Sequence, residues 1–191
     1  MSERAASGAG ETAGAILSLE DFRIRPHNCF ACGELNEIGL HLQLKFAPDS
    51  CWTELTLPDR YEGWEGVIHG GILCTILDEV MGWSLLVRDT WGVTARFSIQ
   101  FHKPVLVGRR LRAEARVTEA RRRIQIVAGR IVDAETGEAL ATAEATYVAA
   151  SEERKRELKQ RYDFATLEPA PEPSEPTVAD PAHTGSSEHA P

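Results

Sequence analysis

From His69 to Val87 the chain reads HGGILCTILDEVMGWSLLV. Apolar residues fall on almost every side of the helix this run predicts: Ile72, Leu73, Ile76, Leu77, Val80, Met81, Trp83, Leu85 and Leu86. A surface helix shows one apolar stripe, so a helix apolar nearly all round is expected to be enclosed by protein. Elsewhere the period is two. Leu42, Leu44 and Phe46 alternate with His41, Gln43 and Lys45, and Cys51–Leu57 alternates again after a Pro48-Asp49 turn. Four longer runs follow the helix: Val93–Lys103, Leu111–Val117, Ile124–Val132 and Ala139–Ala149, separated by Pro104, Gly108 and Thr136-Gly137. Alternation of this kind predicts half-buried strands. The pattern predicts an α+β fold: an antiparallel sheet of about six strands wrapped around one long buried helix.

The margins have a different composition. Residues 1–25 are small or polar and are expected to be a flexible segment ahead of the domain at 26–150. Ser151, followed by Glu152 and Glu153, is a helix-capping sequence and predicts a helix over 151–164. Beyond it, 165–191 is acidic and Pro-rich with almost no large apolar residue, a composition expected to stay disordered.

Charge sharpens this division. The chain of 191 residues carries a formal net charge of −8, but residues 1–22 hold −3 of it and residues 162–191 hold −6. The folded part is therefore close to neutral, which makes nucleic acid an unexpected partner. No basic segment followed by an apolar run opens the sequence, so no secretory signal is expected. Asp78 and Glu79 at the centre of the helix argue against a membrane span. Four cysteines in such a chain fit free thiols in a reducing cytoplasm.

Two acids in an apolar helix need a reason, because an ionised carboxylate away from water is costly unless paired. Gly70 and Gly71 open the same helix, leaving its first N–H groups uncovered at the positive end of the dipole. A carbonyl oxygen gaining negative charge would be well placed there. Gly71 and Asp78, seven residues apart, are separated by roughly 10 Å along one helix. One carbonyl group could hardly meet both on one chain, whereas two antiparallel helices would set the start of one beside the acid of the other.

Gly66-Val-Ile-His-Gly-Gly71, Asp78 nine residues after His69, then Thr94 and the Pro104/Gly108 breaks resemble the hotdog-fold acyl-CoA thioesterases, closest to the phenylacetyl-CoA thioesterase (PaaI-like) type. The leader, Cys29-Phe-Ala-Cys-Gly33 with Asn36 and Gly39-Leu40, is similar to that of many such proteins, and the resemblance runs from Asn28 to Ala149. It implies a hotdog fold and hydrolysis of an acyl-CoA thioester without metal or cofactor. It further implies a homodimer, or a dimer of dimers, with each site shared between subunits. By that resemblance Gly71, with Gly70, would supply the N–H that polarises the thioester carbonyl. Asp78 would be the general base or a nucleophile, His69 would shape the helix entrance, and Thr94 would orient the water or the carboxylate. Gly63 stands where some members carry an asparagine, and Glu79 beside Asp78 leaves the choice of acid open. A hotdog hydratase or dehydratase, or a non-catalytic acyl-CoA-binding module, are the rival readings.

Other residues divide between plain and functional roles. Most arginines from Arg109 to Arg130 fit a solvated strand face, with Arg121, Arg122 and Arg123 the candidates for coenzyme A phosphates. Trp64 and Trp83 are candidates for an acyl pocket, although core packing is the commoner role of tryptophan. Cys29 and Cys32 have the spacing of half a zinc site, but Cys51 and Cys74 are isolated, so a structural turn is the expectation.

Overall fold

A computed structural model describes residues 17–18 and 22–166. The remainder, including most of the expected N-terminal segment and the acidic tail from 167, lies outside the described residues. Eleven strands and two helices are present: β1 (Leu17–Ser18), β2 (Phe22–Arg23), β3 (Lys45–Ala47), β4 (Ser50–Thr56), β5 (Glu62–Trp64), β6 (Val67–Ile68), α1 (Gly70–Ser84), β7 (Gly92–Phe101), β8 (Arg110–Arg121), β9 (Ile124–Asp133), β10 (Ala139–Ala149), α2 (Glu152–Arg161) and β11 (Ala165–Thr166). The main sheet is antiparallel in the order β1-β3-β4-β8-β9-β10-β7, with β1 only two residues long. Helix α1 lies across it, packed on β4, β8, β9 and β7.

Burial on α1 follows a single stripe: Leu73, Ile76, Leu77, Val80, Met81 and Ser84. Each large apolar side chain fully buried there contributes roughly 1.5–3 kcal/mol. The expectation of a helix enclosed on most sides is thus corrected. The sheet covers one face, and Gly71 and Asp78 on the other are exposed. Gly70–Arg88 meets the length and hydropathy of a membrane span, yet its apolar stripe faces the sheet, as in a core helix.

The early alternation extends further than the ladder it predicts. Leu42 and Leu44 are buried, but only Lys45–Ala47 pairs as a strand. His41 takes a left-handed conformation (φ 49°), the Leu42 N–H is spent on Ala31 O, and Gln43 O accepts the Thr53 hydroxyl. Two short pieces from the expected loose margins pair with each other, β2 with β11. Beside them Phe22 and Phe164 stack at 5.5 Å and bring α2 against an aromatic cluster that includes Phe46, Trp83 and Trp91.

Candidate active site

Asp78 sits on the uncovered side of α1, where β7 forms the edge of the sheet. The Thr94 hydroxyl donates to its Oδ1 at 2.8 Å, and the Tyr147 hydroxyl lies 3.1 Å from the same oxygen and 3.0 Å from the Asp78 carbonyl. Both donors converge on Oδ1, so Oδ2 has no protein partner among the described residues. Tyr147 is buried, and that burial, reinforced by the Asp78 charge, keeps its phenol protonated and a donor.

Thr94 reaches Asp78 because of an irregularity in β7. Strict alternation puts Thr94 on the polar face with Arg96 and Ser98. In the structure Thr146 pairs with Arg96 while Tyr147 pairs with Thr94, which leaves Ala95 as an extra residue. Such a bulge reverses the facing of everything beyond it. Thr94 thereby joins Tyr147, Phe97 and Ile99 on the helix side, and Val93 turns outward, 70% exposed. Sequence reasoning missed Tyr147. The available signal was one large hydroxyl-bearing residue in the inward series Ala141, Ala143, Ala145, Tyr147, Ala149.

At the start of α1, His69 is the cap. Its Nδ1 accepts the Gly71 N–H at 2.9 Å, so the donor expected to face substrate is engaged by the histidine ring in this structure. The Gly70 N–H has no partner among the described residues. Gly63 lies directly beneath the ring: a Cβ there would come within 3.0 Å of His69 Cδ2, so the position has no room for a larger side chain unless His69 moves.

Glu79, about 100° further round the helix, has different partners from Asp78. Its Oε1 accepts the Trp83 Nε1–H at 2.7 Å, and Cys29 Sγ is 3.7 and 3.6 Å from its two oxygens. Burial pushes its carboxyl up to about 7. Beside it the Cys32 thiol, hydrogen-bonded to Cys29, holds Cys29 down to about 5 and is itself pushed up. Of the two adjacent acids, then, Asp78 opens to solvent and Glu79 is turned into the leader.

A cavity of about 370 Å³ lies along this edge, lined by both Asp78 and Glu79 and by Trp83, Trp91, Thr94 and Tyr147 among others. A larger concavity of about 620 Å³ lies on the sheet, near Glu114, Arg116 and Arg130, where Glu114 is ion-paired with Arg112 and Arg130. Trp83 is thus at the site, whereas Trp64 is 84% exposed on the β5–β6 hairpin and lines neither cavity. Of the arginines, Arg109, Arg110, Arg112 and Arg130 are paired with Asp133, Glu54 and Glu114. Arg121 ends β8 and Arg122 and Arg123 form the β8–β9 turn, at the sheet end where β10 finishes and β7 begins. Arg121 pairs with Glu119, Arg123 donates to Ala149 O at 3.0 Å, and Arg122 makes no ion pair among the described residues.

Comparison with known proteins follows the same lines. Residues 65–140 match the Thioesterase superfamily. The fold is shared with a crystal structure of a thioesterase superfamily protein, at 25% identity and a TM-score of 0.60, over 63% of this chain and 60% of that one. This chain therefore spans less than two thirds of that relative. A hypothetical thioesterase protein from Streptococcus pneumoniae TIGR4, solved with coenzyme A, is similar at 20% identity and a TM-score of 0.52, over 55% of this chain and 80% of that one. Structures of the same protein exist with an aspartate, and with a threonine sixteen residues further on, replaced by alanine. The E. coli PaaI protein from the phenylacetic acid degradation operon matches at 18% identity and a TM-score of 0.51, over 53% and 73% of the two chains. No curated protein matches. The sheet and its single long helix are a hotdog fold, and it is within residues 65–140 that the chain is similar to the Thioesterase superfamily.

Proposed function

We propose that this protein hydrolyses an acyl-CoA thioester to the free acid and coenzyme A, acting as a homodimer with Asp78 as general base. The observation that carries the reading is the asymmetry of the Asp78 carboxylate. Thr94 and Tyr147 fix Oδ1, and Oδ2 is left free at the edge of a cavity. A carboxylate held by one oxygen and open at the other is placed to take a proton from water, a contribution of typically 10²–10⁴-fold. In the step itself, water oxygen bonds to the thioester carbon, its proton passes to Oδ2, and the C–S bond breaks as the thiolate leaves and is protonated.

The developing oxyanion needs N–H donors, and the helix start supplies them, Gly70 first and Gly71 once the His69 ring releases it. Distance along one helix separates these donors from Asp78, so the second copy completes the site. Two features support that assembly. Strand β7, ten residues long, has an unpaired edge among the described residues, and the Asp78 face of α1 beside it is exposed. Free edges of this length are normally paired or protected. The Streptococcus pneumoniae variants add a further point, since Asp78 and Thr94 have the same sixteen-residue separation. Acyl-CoA as the substrate is supported by the coenzyme A in that relative.

A hydratase would pair a histidine with the acid, and no histidine is among the partners of Asp78. Thiol release from short, long and aromatic acyl-CoA esters, by wild type and Asp78→Asn, tests the proposal. Turnover by the wild type and its collapse in the folded variant are expected. Binding without turnover by the wild type would make the protein an acyl-CoA-binding module.

A further inference from the structure

The Cys29–Cys32 turn, set aside in the sequence for want of further ligands, meets a third one in space. Glu79 is fifty residues from Cys29 along the chain, yet the two thiol sulfurs and a Glu79 oxygen all lie within 4.8 Å of one another. We propose that Cys29, Cys32 and Glu79 bind a zinc ion, with the fourth coordination position open to water.

Three observations carry this. The first is distance. Around a tetrahedral zinc with Zn–S near 2.3 Å and Zn–O near 2.1 Å, the sulfur–oxygen edge is about 3.6 Å. Cys29 Sγ stands 3.6 and 3.7 Å from the two Glu79 oxygens. The second is charge. Glu79 is half-buried in the central helix, and no ion pair among the described residues includes it. Its neighbours are one indole N–H and two thiols, and thiols are weak donors. A desolvated carboxylate beside two ionisable sulfurs lacks a cation, and the soft thiolates select a transition metal over calcium or magnesium.

The third is preorganisation. Gly33 N–H donates to Cys29 O at 2.9 Å, closing the turn that presents both sulfurs. A Cβ at Gly33 would fall 2.3 Å from Cys29 N and 2.5 Å from His27 O, so only glycine allows this closure. Trp83 Nε1 then orients the third ligand from outside, as outer partners do in metal sites. Cys32 and Trp83 also line a cavity of about 310 Å³, together with His27 and His41, and water would take the fourth position on that side. Binding displaces the thiol protons to solvent. It fastens the leader to α1 one residue from Asp78, without touching the proposed chemistry.

The test uses the full chain, reduced with a phosphine, stripped with a chelator and titrated with cobalt(II) alone, then zinc. Expected is one cobalt per chain with thiolate-to-cobalt charge-transfer absorption in the near ultraviolet, displaced by zinc. That band is lost in Cys29→Ser and Cys32→Ser and weakened in Glu79→Gln, with near-ultraviolet circular dichroism establishing that each variant is folded. Should a variant not fold, zinc protection of residues 29 and 32 from alkylation in the wild type, read by mass spectrometry, takes its place. No charge-transfer band in the reduced wild type, or a band unchanged in both folded serine variants, overturns the site.

Discussion

Thr94 Oγ1 and Asp78 Oδ1 are 2.8 Å apart, and this contact exists because one extra residue, Ala95, turns Thr94 toward the helix. A single polar contact between the edge strand and the central helix thus aims the carboxylate that the proposed reaction uses.

Removing the proton acceptor should abolish chemistry and leave the fold intact. Asp78→Asn is expected to lower kcat/KM by roughly 10²–10⁴-fold with little change in melting temperature, since the side chain is exposed. Thr94→Val should lower kcat by a smaller factor. Tyr147→Phe should reduce kcat and also cost about 0.5–1.5 kcal/mol of stability, the net worth of one hydrogen bond. Steady-state kinetics and thermal melts of the three variants check this. Equal kcat in wild type and Asp78→Asn would remove Asp78 as the base.

A site shared between subunits makes a different kind of prediction. Asp78→Asn and Gly71→Pro, which removes the Gly71 N–H itself, should each have low activity alone. When the two are unfolded together and refolded as a mixture, activity should return, because hybrid dimers contain one intact acid opposite one intact helix start. Val93→Lys, at an exposed edge position, should yield a monomer of normal fold and low activity by size-exclusion chromatography and assay. No recovery in the refolded mixture would place each site within one chain.

Glu79 gives a pH signature in the metal-free protein. Its carboxyl is held near 7 by burial, against an ordinary value of 4.5. Between those values the folded chain binds more protons than the unfolded one, so this group's stabilisation is complete below about pH 4.5 and declines as pH rises to 7. Glu79→Gln does not titrate. With chelator present, its melting temperature should therefore gain on wild type progressively from pH 5 to pH 8, by roughly 1–3 kcal/mol in stability. With zinc added and the pH held at 8, the order should reverse.

Coenzyme A recognition is expected at the β8–β9 turn. Reversing Arg121 and Arg122 to Glu should raise KM for a CoA ester by roughly tenfold, the worth of one charge-assisted contact. A short thioester without the nucleotide should be unaffected. Arg123 is spared in this design because it also holds Ala149 O. The same rise in KM for both substrates would remove the turn as the phosphate site.

Several features were legible without coordinates. The apolar run His69–Val87 specified the central helix, and the alternation in Leu111–Val117, Ile124–Val132 and Ala139–Ala149 specified three adjacent strands, because side-chain period reports directly which face meets the core. His69, Gly70 and Gly71 were legible as the entrance of that helix for a similar reason: neighbours in sequence at a helix start stay close in space. Local geometry was enough for these.

Tertiary structure decided the rest. Whether α1 is enclosed or half open depends on what the sheet covers, and the sheet covers one face only. A bulge at Ala95 depends on pairing with β10, so alternation alone put Thr94 on the wrong side and hid its contact with Asp78. Tyr147 and Glu79 enter their clusters across 69 and 50 residues of chain, from Asp78 and Cys29 respectively. Short-range pattern records the face a residue presents. It does not record which distant residue the folded chain brings to that face, and that is what separates Asp78, held by Thr94 and Tyr147, from Glu79, held by Trp83 and Cys29.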